Sequence, residues 1–120
     1  VIRAPLTKDG GYKAAKDVLA TDASAVFAAN DEMAIGLLRG LHELDVKVPE
    51  DISVIGYDNI YWDDYVNPRL TTVQQPIFDL GAGATKMLIE QISHSSAEAR
   101  VQNFPVKLIK RDSTSSYRPK

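Results

Sequence analysis

Apolar positions along the chain change their period several times, and each change predicts an element. From Gly11 to Leu19 the residues Tyr12, Ala15, Val18 and Leu19 recur at helical spacing, and Asp22-Ala23-Ser24 predicts a turn after them. The run AVFAA, Ala25 to Ala29, is short and continuously apolar, the pattern of a strand buried on both faces. Beyond it Ala34, Leu37, Leu38, Leu41 and Leu44 form a helical stripe; Asn30 suits the N-cap, and Asp31 and Glu32 suit the positive end of the helix dipole. Pro49-Glu50-Asp51 introduces a second strand from Ile52 to Tyr57, and Leu70 to Gln74 predicts a third. Strand, helix and strand at this spacing predict an α/β fold, a parallel sheet with right-handed crossovers and flanking helices.

After Gln75-Pro76 the pattern becomes a long helix with Ile77, Leu80, Ala84, Leu88 and Ile92 on one side, fading in the polar stretch from Ser93 to Ser96. Gly81 and Gly83 lie in LGAGATK, between a strand and a helix. A phosphate loop would need Gly-Lys-Ser/Thr at its end, and a dinucleotide fingerprint would need Gly where Lys86 stands, so small residues on a helix face are expected instead. Asn103 to Arg111 alternates like one or two short strands, with Pro105 marking an edge or a break, and a tail is expected from Thr114 onward.

Composition narrows the function classes. A chain of 120 residues with 44% hydrophobic content can form one core, burying roughly two-thirds of its surface. The net charge is −2 and the basic residues are scattered, so no nucleic-acid-binding face is expected on this chain. With no cysteine there is neither a disulfide framework nor a thiolate metal site, and no cofactor is expected. No segment reaches the ~18 apolar residues of a membrane span, and VIRAPLTKDG lacks the features of a signal peptide, as if the chain began mid-protein; no membrane partner is expected.

Candidate chemistry sits at the strand ends. In an open parallel sheet, ligands collect outside the carboxyl ends of the strands, where loops and helix N-termini converge. Asn30 ends one strand, Asp58 the next and Gln75 the third, two amides and a carboxylate suited to the hydroxyls of a sugar. Each also has a local reading: Asn30 as an N-cap, Asp58 as the start of an Asx-turn, Gln75 as an amide bonding to backbone before proline. The acids Asp58, Asp63 and Asp64 raise a second class, a Mg²⁺ site for phosphoryl transfer, although no partner lysine or phosphate loop accompanies them. Tyr61, Trp62 and Tyr65 suit stacking on a sugar, a contact surface or packing at the core edge.

The segment AANDEMAIGLLRGLHELDVKVPEDISVIGYDNI, followed by PRLTTVQQP and later by LIKRDST, resembles the effector-binding half of the LacI–GalR family of bacterial transcription regulators. The resemblance covers nearly the whole chain and implies part of a type I periplasmic-binding-protein-like fold, in which two α/β subdomains close on a ligand across a three-strand hinge. Matched position by position, Asn30 and Asp58 are implied to contact the effector, Gln75 to fall at the hinge crossing, and Ile77 and Leu80 to line the other side of the cleft. Leu6 stands where many members place an aromatic that stacks on the ligand. Asp45 stands where the family usually has the glycine that ends a helix in a left-handed turn.

The family pattern further implies that residues 1–76 are part of the C-terminal subdomain, that 77–101 carry a helix of the N-terminal subdomain, that 102–114 return to the C-terminal subdomain, and that 115–120 are a tail. The implied protein is a cytoplasmic repressor without covalent chemistry, binding a sugar or similar small polar molecule and contacting operator DNA through a headpiece outside this chain. A homodimer is implied, with Ile35, Leu38, His42 and Val66 on an exposed contact stripe, core packing being the other reading of Leu38, and Asp63 and Asp64 as surface charges on a loop leading toward it. The uncovered apolar face of the helix from Ile77 predicts self-association. His42 and His94 are expected to be solvated. A transport receptor of the same fold is the alternative, the Mg-dependent enzyme a more distant one.

Overall fold

The computed structural model describes residues 1–93 and 100–117, so the expectation for His94 lies outside the described residues. The helices and strands are α1 (Lys8–Leu19), β1 (Ala25–Phe27), α2 (Asp31–Glu43), β2 (Ser53–Asp58), β3 (Thr71–Gln74), α3 (Ile77–Ser93) and β4 (Lys107–Ile109), with a 3-10 turn at Tyr61–Asp64. The sheet runs in the order β1-β2-β3-β4, and the pairs β1/β2 and β2/β3 are parallel, as the alternation of helix and strand periods predicts. Two compact units make up the chain: Val1–Gln74 with Leu108–Lys120, and Gln75–Lys107.

In the first unit, each helix starts where a side chain satisfies an orphan backbone donor. Thr7 Oγ1 accepts from the Gly10 amide at 3.1 Å, and Asn30 Oδ1 accepts from the Met33 amide at 2.8 Å. Helix α2 ends in a paired closure: the Asp45 amide donates to the His42 carbonyl and the Val46 amide to that of Leu41, with Asp45 at φ 58°. That is the left-handed position where the family places glycine. Asp45→Gly is therefore expected to raise the chain's stability by about 0.5–1 kcal/mol, read as a shift in urea midpoint at unchanged slope.

Packing follows the stripe on α2. Ala34, Leu37, Leu38 and Leu41 are buried with Ala15 and Val18 of α1, Val54 of β2, and Ala28, Ile52 and Leu70. Helices α1 and α2 lie so close that a Cβ on Gly11 would strike the Met33 carbonyl and one on Gly36 the Lys8 carbonyl. Ser113 closes the far end of the sheet. Its hydroxyl donates to the Val54 carbonyl at 2.6 Å and accepts from the Thr71 amide at 2.8 Å, while its carbonyl accepts from the Val54 amide.

Several expectations are corrected here. The run Ala25–Ala29 is not a strand buried on both faces: β1 covers three residues, and Ala25 and Phe27, which share one face by the alternation of a strand, are exposed while Val26 on the other face is half-buried. Leu38 lies in the core, 6% exposed, and Ile35 and Val66 are half-buried against it, so of the four stripe residues only His42 is exposed. The residues after Ser113 do not begin as a free tail, since Thr114 pairs with the Thr71 hydroxyl and Ser115 bonds to Ser53 and to the Pro49 carbonyl.

The second unit is built on α3, none of whose residues is buried. Ile77, Phe78, Leu88, Ile89 and Ile92 are exposed, an apolar face without cover among the described residues. The close-packing expectation holds for one of its two glycines: Phe104 sits against Gly83, whereas nothing approaches Gly81. Among the described residues no helix is long and apolar enough to cross a membrane.

Candidate functional site

The carboxyl end of β2 carries two consecutive residues at positive φ. Asp58 has φ 129° and Asn59 φ 59°, both in the region that favours glycine, and such residues persist only where their surroundings impose the conformation. Two side chains from distant segments impose it here. Arg111, beyond β4, donates to Asn59 Oδ1 at 2.9 Å, and Asp31, at the start of α2, accepts from the Ile60 amide at 3.1 Å.

Asp31 is the junction between two of the predicted site residues. It follows Asn30 directly, is fully buried, and also accepts from the Thr72 hydroxyl at 2.6 Å. Its carboxylate lies over Gly56, where an added Cβ would collide with Oδ1. Asn30 uses its amide locally: the oxygen caps α2 and the nitrogen donates to the Leu6 carbonyl at 3.3 Å, while the Leu6 side chain is largely exposed. The structure thus brings Leu6, Asn30 and, through Asp31, the Asp58 exit into one linked group. Gln75, half-buried, and the exposed Ile77 and Leu80 belong to the second unit, where the Gln75 carbonyl accepts from the Ile77 amide.

Two acids here, Asp31 and Asp63, are fully buried. Asp63 is fully buried, which overturns its reading as a surface charge; Asp64 is half-exposed but clamped by Arg111, whose Nε and Nη2 reach its two oxygens at 2.7 and 3.0 Å. Both Asp63 side-chain oxygens lack a donor. Burial, then the neighbouring acceptor and charge of Asp31, push the Asp63 carboxyl up to about 8 against the opposing pull of Arg111. A proton on Asp63 turns this clash of acceptors into a hydrogen bond to Asp31. The surrounding aromatics, Tyr61, Trp62 and Tyr65, are exposed and pack ring against ring with centroids 4.7 to 6.3 Å apart.

Among the described residues no group of three or more acids or histidines is placed to hold a metal ion. The proposed trio does not converge: Asp63 is buried and Asp64 is engaged by a guanidinium. Asp31 and Arg111 support the site without a functional signal in the sequence, Asp31 showing there only as an acid at the start of a helix, and Asp63, a candidate metal ligand or surface charge by sequence, is a buried neighbour of Asp31.

A parallel sheet with helices beside it and polar residues at its carboxyl ends is the layout of open α/β ligand-binding folds. The model of the periplasmic binding protein-like domain matches residues 2–114, and the chain belongs to that family. Its similarity to LacI-type regulators is close. It is 41% identical over 110 residues to the HTH-type transcriptional repressor PurR of Pasteurella multocida (strain Pm70), 90% of this chain and 33% of the relative. The ribose operon repressor of Halalkalibacterium halodurans is 34% identical over 116 residues, 95% of this chain and 35% of that protein. Among solved structures, a ribose-bound LacI family transcriptional regulator from Enterococcus faecalis V583 superposes with a TM-score of 0.86 at 47% identity, covering 94% of this chain and 42% of that one. The chain spans about a third of the length of the curated relatives it matches.

Proposed function

We propose that this chain is the effector-sensing part of a LacI-type transcriptional repressor, taking a sugar or a similar small polar molecule. The observation that carries this reading is the left-handed exit of β2, which sets Asp58 at the carboxyl end of a parallel sheet and ties it through Asp31 to Asn30 and Leu6. Asp58 accepts the ligand's hydroxyls in this reading, and Leu6 offers it an apolar contact. Gln75, Ile77 and Leu80, in the second unit, are the further ligand contacts that the family pattern implies. The ligand-bound relative named above holds ribose, which supports a sugar in this class of site.

In the intact protein the ligand favours one arrangement of the subdomains over the other and so shifts operator binding by a headpiece outside this chain, a coupling without covalent chemistry. The working form is a cytoplasmic homodimer. His42 is the exposed member of the contact stripe, with Ile35 and Val66 beside it, and the apolar face of α3 supports burial against further protein.

Calorimetric titration of the full-length protein with ribose, other sugars and nucleobases tests the site. Asp58→Ala is expected to weaken the bound ligand roughly 10- to 100-fold, the loss of hydrogen bonds to a charged acceptor. Binding as tight as wild type would remove Asp58 from the site.

A further inference from the structure

We infer that Arg111 is a positioning residue for the ligand site, holding the left-handed Asp58-Asn59 backbone in place from a segment about 50 positions further along the chain. The inference rests on the reading of Asp58 given above, but its geometry is independent of any ligand. The Arg111 side chain is only 10% exposed and spends its donors in three directions. Nε and Nη2 grip Asp64, Nη1 donates to the Leu70 carbonyl at 2.8 Å, and Nη2 also reaches Asn59 Oδ1. Its own amide donates to the Thr71 hydroxyl at 2.9 Å, which ties its backbone to β3.

The guanidinium is therefore fixed before it touches Asn59, on one side by a carboxylate and on the other by the residue that leads into β3. A planar fork with several fixed donors can do this; a lysine ammonium, a single point of charge on a flexible stem, cannot span the same three acceptors. Asn59 carries φ 59° at a cost a glycine would not bear, and its side chain is what Arg111 holds. Asp31 pins the next amide, so the exit loop is held at two consecutive residues.

Two readouts on the full-length protein test this, amide hydrogen exchange and titration with ribose. In Arg111→Lys, exchange at residues 58–60 is expected to rise roughly tenfold or more, while the Val54 and Leu41 amides keep wild-type protection. Ribose affinity is expected to fall roughly tenfold. Adding Asn59→Gly to Arg111→Lys is expected to recover most of that affinity, because glycine adopts the left-handed backbone without being held. A role in general stability alone would raise exchange across β2 and β3 together and would gain nothing from glycine at 59. Unchanged exchange at 58–60 in Arg111→Lys, or no recovery with Asn59→Gly, overturns the inference. Should wild type bind neither sugar nor nucleobase, the ligand reading fails, and the exchange result still decides the role of Arg111.

Discussion

Gly36→Val is expected to prevent the chain from folding stably at 25 °C. Gly36 lies on α2 where it crosses α1, and even a Cβ at this position would fall on the Lys8 backbone carbonyl, with the Lys8 carbonyl carbon at 2.7 Å and its Cα at 2.9 Å. Flexible side chains move aside cheaply, but here the obstacle is main chain in the first turn of α1, just past its Thr7 cap. Relief would require the helices to separate, and that would uncover Ala15, Val18, Leu37 and Leu41 together. Overpacking alone costs about 1–3 kcal/mol, and separating the layer adds several buried side chains to that loss. Against a domain stability of about 5–15 kcal/mol, a penalty of about 4 kcal/mol or more is decisive. Circular dichroism with urea titration checks it: a midpoint within a few tenths molar of wild type would mean that the two helices do not meet as described. Gly81→Ala is the internal contrast. Nothing lies within 4 Å of its added Cβ, and an alanine on α3 is expected to be neutral to stabilising.

Asp63→Asn is expected to stabilise the chain at pH 8 and to change little at pH 5. The sign follows from proton counts. In the unfolded chain the carboxyl titrates near its ordinary value of 3.8, whereas burial and the Asp31 carboxylate raise it to about 8 in the fold. Between these values the native state holds a proton that the unfolded state has lost, so stability falls as pH rises through the window and levels off above it. The favourable hydrogen bond to Asp31 is present in full at the acid end, and the buried charge replaces it at the alkaline end. An asparagine cannot ionise and can donate to Asp31 at every pH. At pH 8 the variant is expected to gain about 1–3 kcal/mol, the cost of an unsatisfied buried polar group, and to lose the downward slope of melting temperature between pH 5 and 8. An unchanged slope would show that Asp63 is not the group titrating there. Glu43, held below its ordinary value first by the Tyr12 hydroxyl and then by Arg39, and Asp112, held down by Arg69, shift toward acid and leave the slope between pH 5 and 8 alone.

The two predictions involve residues of opposite legibility. Helix α2 could be read almost whole, since its stripe and its Asn30 cap are local features of consecutive residues and the family resemblance implied its left-handed ending at Asp45, and the structure places each there. The parallel order of strands was readable too, because a helix between two short apolar runs leaves few other connections. Asp63 was not. In Trp62-Asp63-Asp64-Tyr65 every neighbour reads as rim or surface, and the 3-10 turn exposes Tyr61, Trp62, Asp64 and Tyr65 while Asp63 alone points inward. A period of three over four residues leaves too few repeats for a pattern to show. Phe27 failed in the other direction: an apolar run looks buried on both faces whether or not another layer covers each face.

The sequence by itself determined the elements, their caps, the parallel topology and the resemblance to LacI-type regulators, all of which depend on residues close together in the chain or on motifs in a set order. The tertiary structure decided how Asp58 is presented. Its left-handed exit is imposed by Asp31, 27 positions upstream of Asp58, and by Arg111, 53 positions downstream, which meet there only because β2 runs between its neighbours in the sheet. Hydrogen bonds between residues so far apart leave no periodic trace in the sequence, since each needs one donor and one acceptor at a single point in space.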